Sequence, residues 1–197
     1  WTKEGNELVQ YQCQGDNSKN SFECVGSSTR SVMGVVIQPD YRALGLKKIS
    51  EKNWNGAIND LNKSIETNPK DATAYRERGH AKSKLKNYQG AIADFNKSLA
   101  LNPNDSSTYS RRASAYFSLK KYKLAIDDWD KAVEIKPKNY RYYFNSGLAY
   151  YNLDNYKEAI VNFNKVIKIN PQYGPFYARR ALANYRLKKY KLAIDDW

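Results

Sequence analysis

Four prolines, Pro69, Pro103, Pro137 and Pro171, fall 34 residues apart. No other feature of the 197-residue chain restricts its fold as strongly, because a fixed period of that length means one supersecondary unit copied and stacked. Fifteen residues before each proline stands an aromatic residue, Trp54, Tyr88, Tyr122 or Tyr156, and Tyr190 continues the series. Alanine follows three residues later (Ala57, Ala91, Ala125, Ala159, Ala193), and a large apolar residue four beyond that (Leu61, Phe95, Trp129, Phe163, Trp197). Earlier in each unit come Tyr41, Tyr75, Tyr109, Tyr143 and Tyr177, followed four residues on by a small residue: Gly45, Gly79, Ala113, Gly147, Ala181.

Inside one unit the apolar spacing is helical, as in Ala91, Ile92, Phe95 and Leu99. Joints such as Thr67-Asn68-Pro69-Lys70-Asp71 stop one helix and offer an aspartate to start the next. A second break, Lys86-Asn87-Tyr88 or Leu153-Asp154-Asn155, divides each unit. The pattern predicts pairs of short antiparallel helices. One pair cannot bury both its faces, so the units must stack.

These residues resemble the tetratricopeptide repeat (TPR) family over residues 38–197. Counting from Gln38, Ala72, Ser106, Tyr140 and Gly174 gives units 38–71, 72–105, 106–139, 140–173 and a partial 174–197. The resemblance implies an all-α, right-handed superhelical solenoid. Its first helices would line a concave groove and its second helices would face outward. One departure concerns the seventh position, often Leu in the family, which is Arg78, Arg112 and Arg180 here. Sixteen residues beyond each stands Asp94, Asp128 or Asp196. The fourth unit has Ser146 and Asn162 instead, losing charge on both sides, and the first has Leu44 with Asp60 as an exception. An Arg–Asp pair between antiparallel helices is predicted, structural in purpose.

Residues 120–129 and 188–197 are the same decapeptide, and from Tyr109 and Tyr177 onward only five positions differ. Four of them, Ser110/Ala178, Ser114/Leu182, Phe117/Tyr185 and Ser118/Arg186, share one helical face, while Tyr116/Asn184 is the fifth. The resemblance places that face in the groove. Random drift of exposed positions would also have touched the outer helix, which is unchanged.

The same implied face supplies Arg42 in unit one and Arg76, His80 and Lys84 in unit two. Unit three gives Ser110, Arg111, Ser114 and Phe117; unit four gives Arg141, Phe144, Asn145, Leu148, Tyr151 and Asn152. Unit five adds Arg179, Leu182, Tyr185 and Arg186. A basic, polar entrance therefore leads to an aromatic, apolar far half. That suits an extended or helical protein segment carrying an acidic element and a few apolar anchors. The carboxylate clamp of some TPR proteins is incomplete in every register. Asn145 and Arg179 match it, but Ser110, Ser114 and Pro175 do not, and a register one unit earlier fails at His80, Arg111 and Asn145. No chaperone cofactor is predicted.

Composition weighs against catalysis. There is one histidine, His80, read as a polar contact, and two cysteines, Cys13 and Cys24. No zinc-ligand spacing, nucleophile elbow or phosphate-binding glycine loop occurs, so no catalytic, cofactor or metal residue is assigned. No apolar run approaches the length of a membrane span. Net charge is +13, concentrated after residue 37 as 30 Lys/Arg against 16 Asp/Glu. That excess leaves RNA or another anionic ligand as a weaker alternative, and a targeting arm of a larger enzyme as a third.

Residues 1–37 differ in chemistry, with three Lys/Arg against four acids. Residues 7–14 and 21–25 alternate as strands around Gly15-Asp16-Asn17-Ser18-Lys19-Asn20, predicting a hairpin with Cys13 facing Cys24. A disulfide there would suit a periplasmic, lumenal or secreted protein; two reduced cysteines would suit the cytosol. The first residue is Trp1, consistent with a removed leader or a fragment. At the far end, unit five without a polar cap is expected to expose Ala193, Ile194 and Trp197, and either to self-associate through residues 177–197 or to fray there.

Overall fold

The structure is a computed structural model that describes residues 39–197 in full and, before them, the backbone of five short strands. Strands β1 (Thr2–Glu4) and β2 (Glu7–Val9) pair antiparallel. Strands β3 (Tyr11–Asp16), β4 (Ser21–Gly26) and β5 (Val32–Val36) form an antiparallel meander in which Cys13 and Cys24 are register partners. The cysteine side chains, and the disulfide expected between them, lie outside the described residues.

From Tyr41 the chain is helical, in five pairs. These are α1 (Tyr41–Ser50) with α2 (Trp54–Thr67), α3 (Ala72–Lys84) with α4 (Tyr88–Leu101), and α5 (Ser106–Ser118) with α6 (Tyr122–Ile135). The series continues with α7 (Tyr140–Asn152) and α8 (Tyr156–Ile169), then α9 (Gly174–Arg186) and α10 (Tyr190–Asp195). Each first helix packs on its own partner, and from α3 onward also on the second helix of the preceding repeat. First helices also touch along the series, α1 with α3 and α3 with α5. The result is a two-layered α-solenoid.

Local chemistry sets the boundaries. Asp71 Oδ1 accepts from the N–H groups of Thr73 and Ala74 at 2.9 and 3.1 Å, and Asp105 Oδ1 does the same for Ser107 and Thr108. Asn53 and Asn87 cap α2 and α4 through Gly56 and Gly90, both at 3.0 Å. Within every repeat the turn passes through one left-handed residue: Lys52, Lys86, Lys120, Asp154 or Lys188, with φ between 57° and 62°. A side chain there costs about 1–2 kcal/mol. The cost is offset because the turn closes two hydrogen bonds, for example Lys86 N–H to Ser83 O and Asn87 N–H to Lys82 O, which satisfy carbonyls the helix end leaves bare.

The core runs between paired helices. Ala57, Ala91, Ala125 and Ala159 are fully buried, as are Leu61, Phe95 and Phe163, while Trp129 is nearly so. Gly79 faces Phe95 so closely that a Cβ would lie 2.8 Å from its ring, and Gly147 faces Phe163 at 2.6 Å. Where the large residue is Trp129, the small partner is Ala113.

The expected arginine pairs form. Arg78 holds Asp94 through Nε and Nη2 at 2.9 and 2.6 Å, Arg112 holds Asp128 at 2.7 and 2.6 Å, and Arg180 grips Asp196 in the same fork. A third contact was not visible in the sequence reading. Each Nη1 donates to an asparagine on the preceding repeat's second helix: Asn62 at 2.8 Å, Asn96 at 2.7 Å and Asn164 at 2.6 Å. The arginines therefore pin neighbouring repeats together, and each also lies over its tyrosine, Tyr75, Tyr109 or Tyr177. In repeat one, Lys48 pairs with Asp60 at 2.7 Å instead. Repeat four has Ser146, 1% exposed and without a hydrogen-bond partner, and Lys165 lies over Tyr143 where an arginine stands elsewhere.

One expectation about the last repeat fails. Ala193 is 4% exposed, because this position faces the first helix of its own repeat, and α10 packs on α9. Ile194 and Trp197 are exposed, at 73% and 79%.

Candidate functional site

Two adjoining pockets open on the face of the first helices. The larger, about 420 Å³, lies between repeats two and three and is lined by His80, Ser83, Lys84, Tyr88, Phe95, Ser110, Arg111, Ser114, Ala115 and Ser118. The smaller, about 180 Å³, lies between repeats three and four against Phe117, Trp129, Asn145 and Leu148, and it shares Ser114 and Ser118 with the first. The cations and the imidazole belong to the first pocket, and the second has Phe117, Trp129 and Leu148 beside its polar residues.

A single position creates the difference. In repeats three to five an aromatic at the twelfth position stands edge-on to the aromatic that opens the second helix. The pairs are Phe117 on Tyr122 at 5.2 Å, Tyr151 on Tyr156 at 5.2 Å and Tyr185 on Tyr190 at 5.6 Å. Repeat two has Ser83 there, which leaves Tyr88 and the edge of Phe95 open to the larger pocket.

Not every residue on this face is available to a partner. Arg76 donates to Glu77 at 2.7 Å and to Asp105 at 2.8 Å, and Arg42 reaches Asp71 at 3.3 Å. Both arginines thus brace the start of the following repeat. Glu77, which the sequence reading passed over, is buried and also lies 3.8 Å from Arg111 Nη2. Its signal was present, as an acid among basic groove positions. Burial pushes Asp105 up, but hydrogen bonds from Arg76 and Thr108 outweigh it and leave the carboxyl below its ordinary value. Phe144 packs on Phe163 and Phe176 at 6.0 and 5.1 Å, joining repeats four and five, and Leu148 belongs to the same cluster.

Other predicted residues remain open. Lys84, Arg141, Asn152, Arg179, Tyr185 and Arg186 are exposed, and Leu182 is half-buried. Arg186 Nε donates to the Tyr151 hydroxyl at 3.3 Å, joining the groove faces of repeats four and five. Among the described residues there is no cluster of His, Cys, Asp and Glu able to hold a metal ion, and no helix long and apolar enough to cross a membrane.

His80 stands edge-on to Trp54 at 5.8 Å. Burial first, then the charges of Arg111 and Lys84, lower its pKa to about 4 against an opposing pull from Glu77. A histidine held neutral in the fold but basic when unfolded makes acid destabilising. Stability attributable to His80 is full above its ordinary value of 6.5 and falls as pH drops toward about 4. Chemical denaturation at a series of pH values is expected to show this slope in the native protein. His80→Gln should flatten it, and an unchanged slope would mean that His80 does not titrate as described.

Comparison with known proteins decides the family. The tetratricopeptide repeat profile matches residues 72–105 and 140–173, and a TPR repeat profile matches residues 113–154. The chain is a tetratricopeptide repeat protein. Among solved structures, this TPR protein is similar to a MamA RS-1 ArsTM double mutant, with TM-score 0.76, 24% identity, and coverage of 79% of this chain and 88% of that one. It is equally similar to MamA from residue 41 to the end from Desulfovibrio magneticus RS-1, with TM-score 0.76, 24% identity and the same coverages. A further crystal structure of MamA protein gives 0.76 at 23% identity, over 79% of this chain and 85% of that one. At such identities the likeness is one of fold. A search of the curated proteins gives no match. TPR repeats arranged this way support a protein–protein interaction scaffold.

Proposed function

We propose that this TPR protein is a non-catalytic scaffold that binds a peptide or protein segment along the groove formed by its first helices. The observation that carries the reading is the pair of adjoining pockets sharing Ser114 and Ser118, with His80, Lys84 and Arg111 in one and Phe117, Trp129 and Leu148 in the other. Four of the five residues that differ between the matched stretches of repeats three and five fall on this same face, and the fifth, Tyr116, packs against the core instead. Ser110, Ser114, Phe117 and Ser118 all line the pockets. A segment lying across them would set an acidic group near Lys84 and Arg111, and an apolar side chain near Phe117 and Leu148.

Eight of the 30 basic residues after residue 37 are committed within the fold, including Arg42 and Arg76 on the groove face, which weakens the nucleic-acid alternative there. Arg42, Lys48, Arg76, Arg78, Lys82, Arg112, Lys131 and Arg180 are all in ion pairs within the fold. Phe117→Ala combined with Tyr151→Ala is expected to abolish partner capture in affinity purification while the helical circular dichroism signal persists. Because Phe117 lies 5.9 Å from the Trp129 ring, the pair should also lower the melting temperature. Capture by the folded double variant at native levels would refute the groove reading.

A further inference from the structure

The larger pocket carries cations and hydroxyls with no acid among its lining residues. Arg111 Nη1 and Ser83 Oγ are buried polar atoms with no hydrogen-bond partner, and both residues line this pocket. Native proteins rarely leave such groups bare unless something visits them. Lys84 is exposed at the rim and makes no ion pair among the described residues. The two nearest carboxylates do not quench the site, since Arg76 takes Glu77 at 2.7 Å and Asp105 at 2.8 Å. Arg111 is left with a distant contact to Glu77 at 3.8 Å.

The hydroxyls complete the arrangement. Ser114 donates to the Ser110 carbonyl at 2.9 Å and Ser118 to the Ser114 carbonyl at 3.0 Å. These back-bonds on a helix are weak and the rotors can turn outward. Neutral His80 offers one ring N–H, and would offer two if an anion drew a proton onto it. A planar guanidinium, an ammonium, several hydroxyls and an imidazole facing one cavity are the donor set that oxygen anions select.

We propose that the pocket between repeats two and three is an oxyanion subsite, which holds a phosphoryl or carboxylate group carried by the bound segment. The proposal rests on the groove reading above, and it places the anionic group directly beside the apolar anchor, since Ser114 and Ser118 belong to both pockets.

His80 is the only histidine in the chain, so its ring signals in an NMR spectrum report the pocket without ambiguity. The full chain is titrated with N-acetyl-phosphoserine amide, with N-acetyl-glutamate amide, and with a short single-stranded RNA. Binding of either amino-acid probe is expected to move the His80 titration midpoint upward from about 4. A stronger effect from phosphoserine would assign the subsite to a phosphorylated side chain, and an equal or stronger effect from glutamate to a carboxylate. Lys84→Gln and Arg111→Gln should each weaken probe binding about tenfold. Lys84 is a rim residue, so its variant keeps the test valid if the Arg111 variant folds poorly.

The proposal fails if neither probe moves His80, if Lys84→Gln binds the probes like the native protein, or if the RNA is the tightest ligand. Failure here together with loss of capture in the Phe117/Tyr151 variant would leave the groove reading intact. Probe binding together with unimpaired capture in that variant would leave the subsite standing and remove the groove.

Discussion

Arg112→Ala is expected to destabilise the fold by about 3–5 kcal/mol, read as a fall in the urea midpoint. The reason is asymmetry. Arg112 fills both oxygens of Asp128 with its Nε and Nη2 and uses Nη1 to hold Asn96 on the previous repeat. Asp128 is 5% exposed, and burial, with the Asp127 charge added, holds its pKa above the ordinary value even though the arginine pulls it down. Removing the cation strands a carboxylate in the core and cuts a bridge between repeats. Removing both charges together, as Arg112→Leu with Asp128→Leu, should cost less than the single change, because no unpaired charge is then buried. The reverse experiment is available in repeat four. Ser146→Arg with Asn162→Asp should raise the midpoint, since Asp130 stands where Asn62, Asn96 and Asn164 accept in the other repeats. If Arg112→Ala and the double leucine variant unfold at the same midpoint, the pair contributes packing alone.

Gly147→Ala should destabilise by about 1–3 kcal/mol through overpacking. The new methyl would sit 2.6 Å from the ring of Phe163, which is fully buried and cannot swing away. Ala is the better helix former, so on an exposed face this change would stabilise the helix instead. The sign therefore reports on the packing. Repeat three shows that alanine is tolerated when the facing residue is tryptophan, as in Ala113 with Trp129. Gly147→Ala with Phe163→Trp should accordingly lose less than Gly147→Ala with Phe163 retained, and thermal melts of the two variants decide it.

The architecture was legible because the period repeats every structural instruction. Proline joints and the small-to-large pairing recur at fixed positions, and cap residues do so except at Lys121, Tyr173 and Lys189, so one helix pair explains all five. The Arg–Asp pairs were legible too, since charge is gained and lost together sixteen residues apart. The bridges to Asn62, Asn96 and Asn164 were not, because contacts between repeats leave no local spacing to read. The same limit applied to the candidate face. Arg76 reads as a groove cation, yet its guanidinium closes on Glu77 and Asp105, and Phe144 turns into the joint between repeats four and five. Ala193 misled for a simpler reason, as the face it covers belongs to its own repeat. The pocket at Ser83 arises from a ring that is missing, and only the neighbouring Tyr88 and Phe95 give that absence a shape.

The central claim is that a partner lies along the first-helix face, and position 114 is where that claim can be tested with one substitution. Ser114 is exposed and lines both pockets, while Lys123 lies on the opposite helix layer beside Ile126 and Tyr150. A photoreactive phenylalanine analogue placed at 114 is expected to cross-link the captured partner, and the same analogue at 123 is expected to leave it unlabelled. Labelling from 123 with none from 114 would contradict the account.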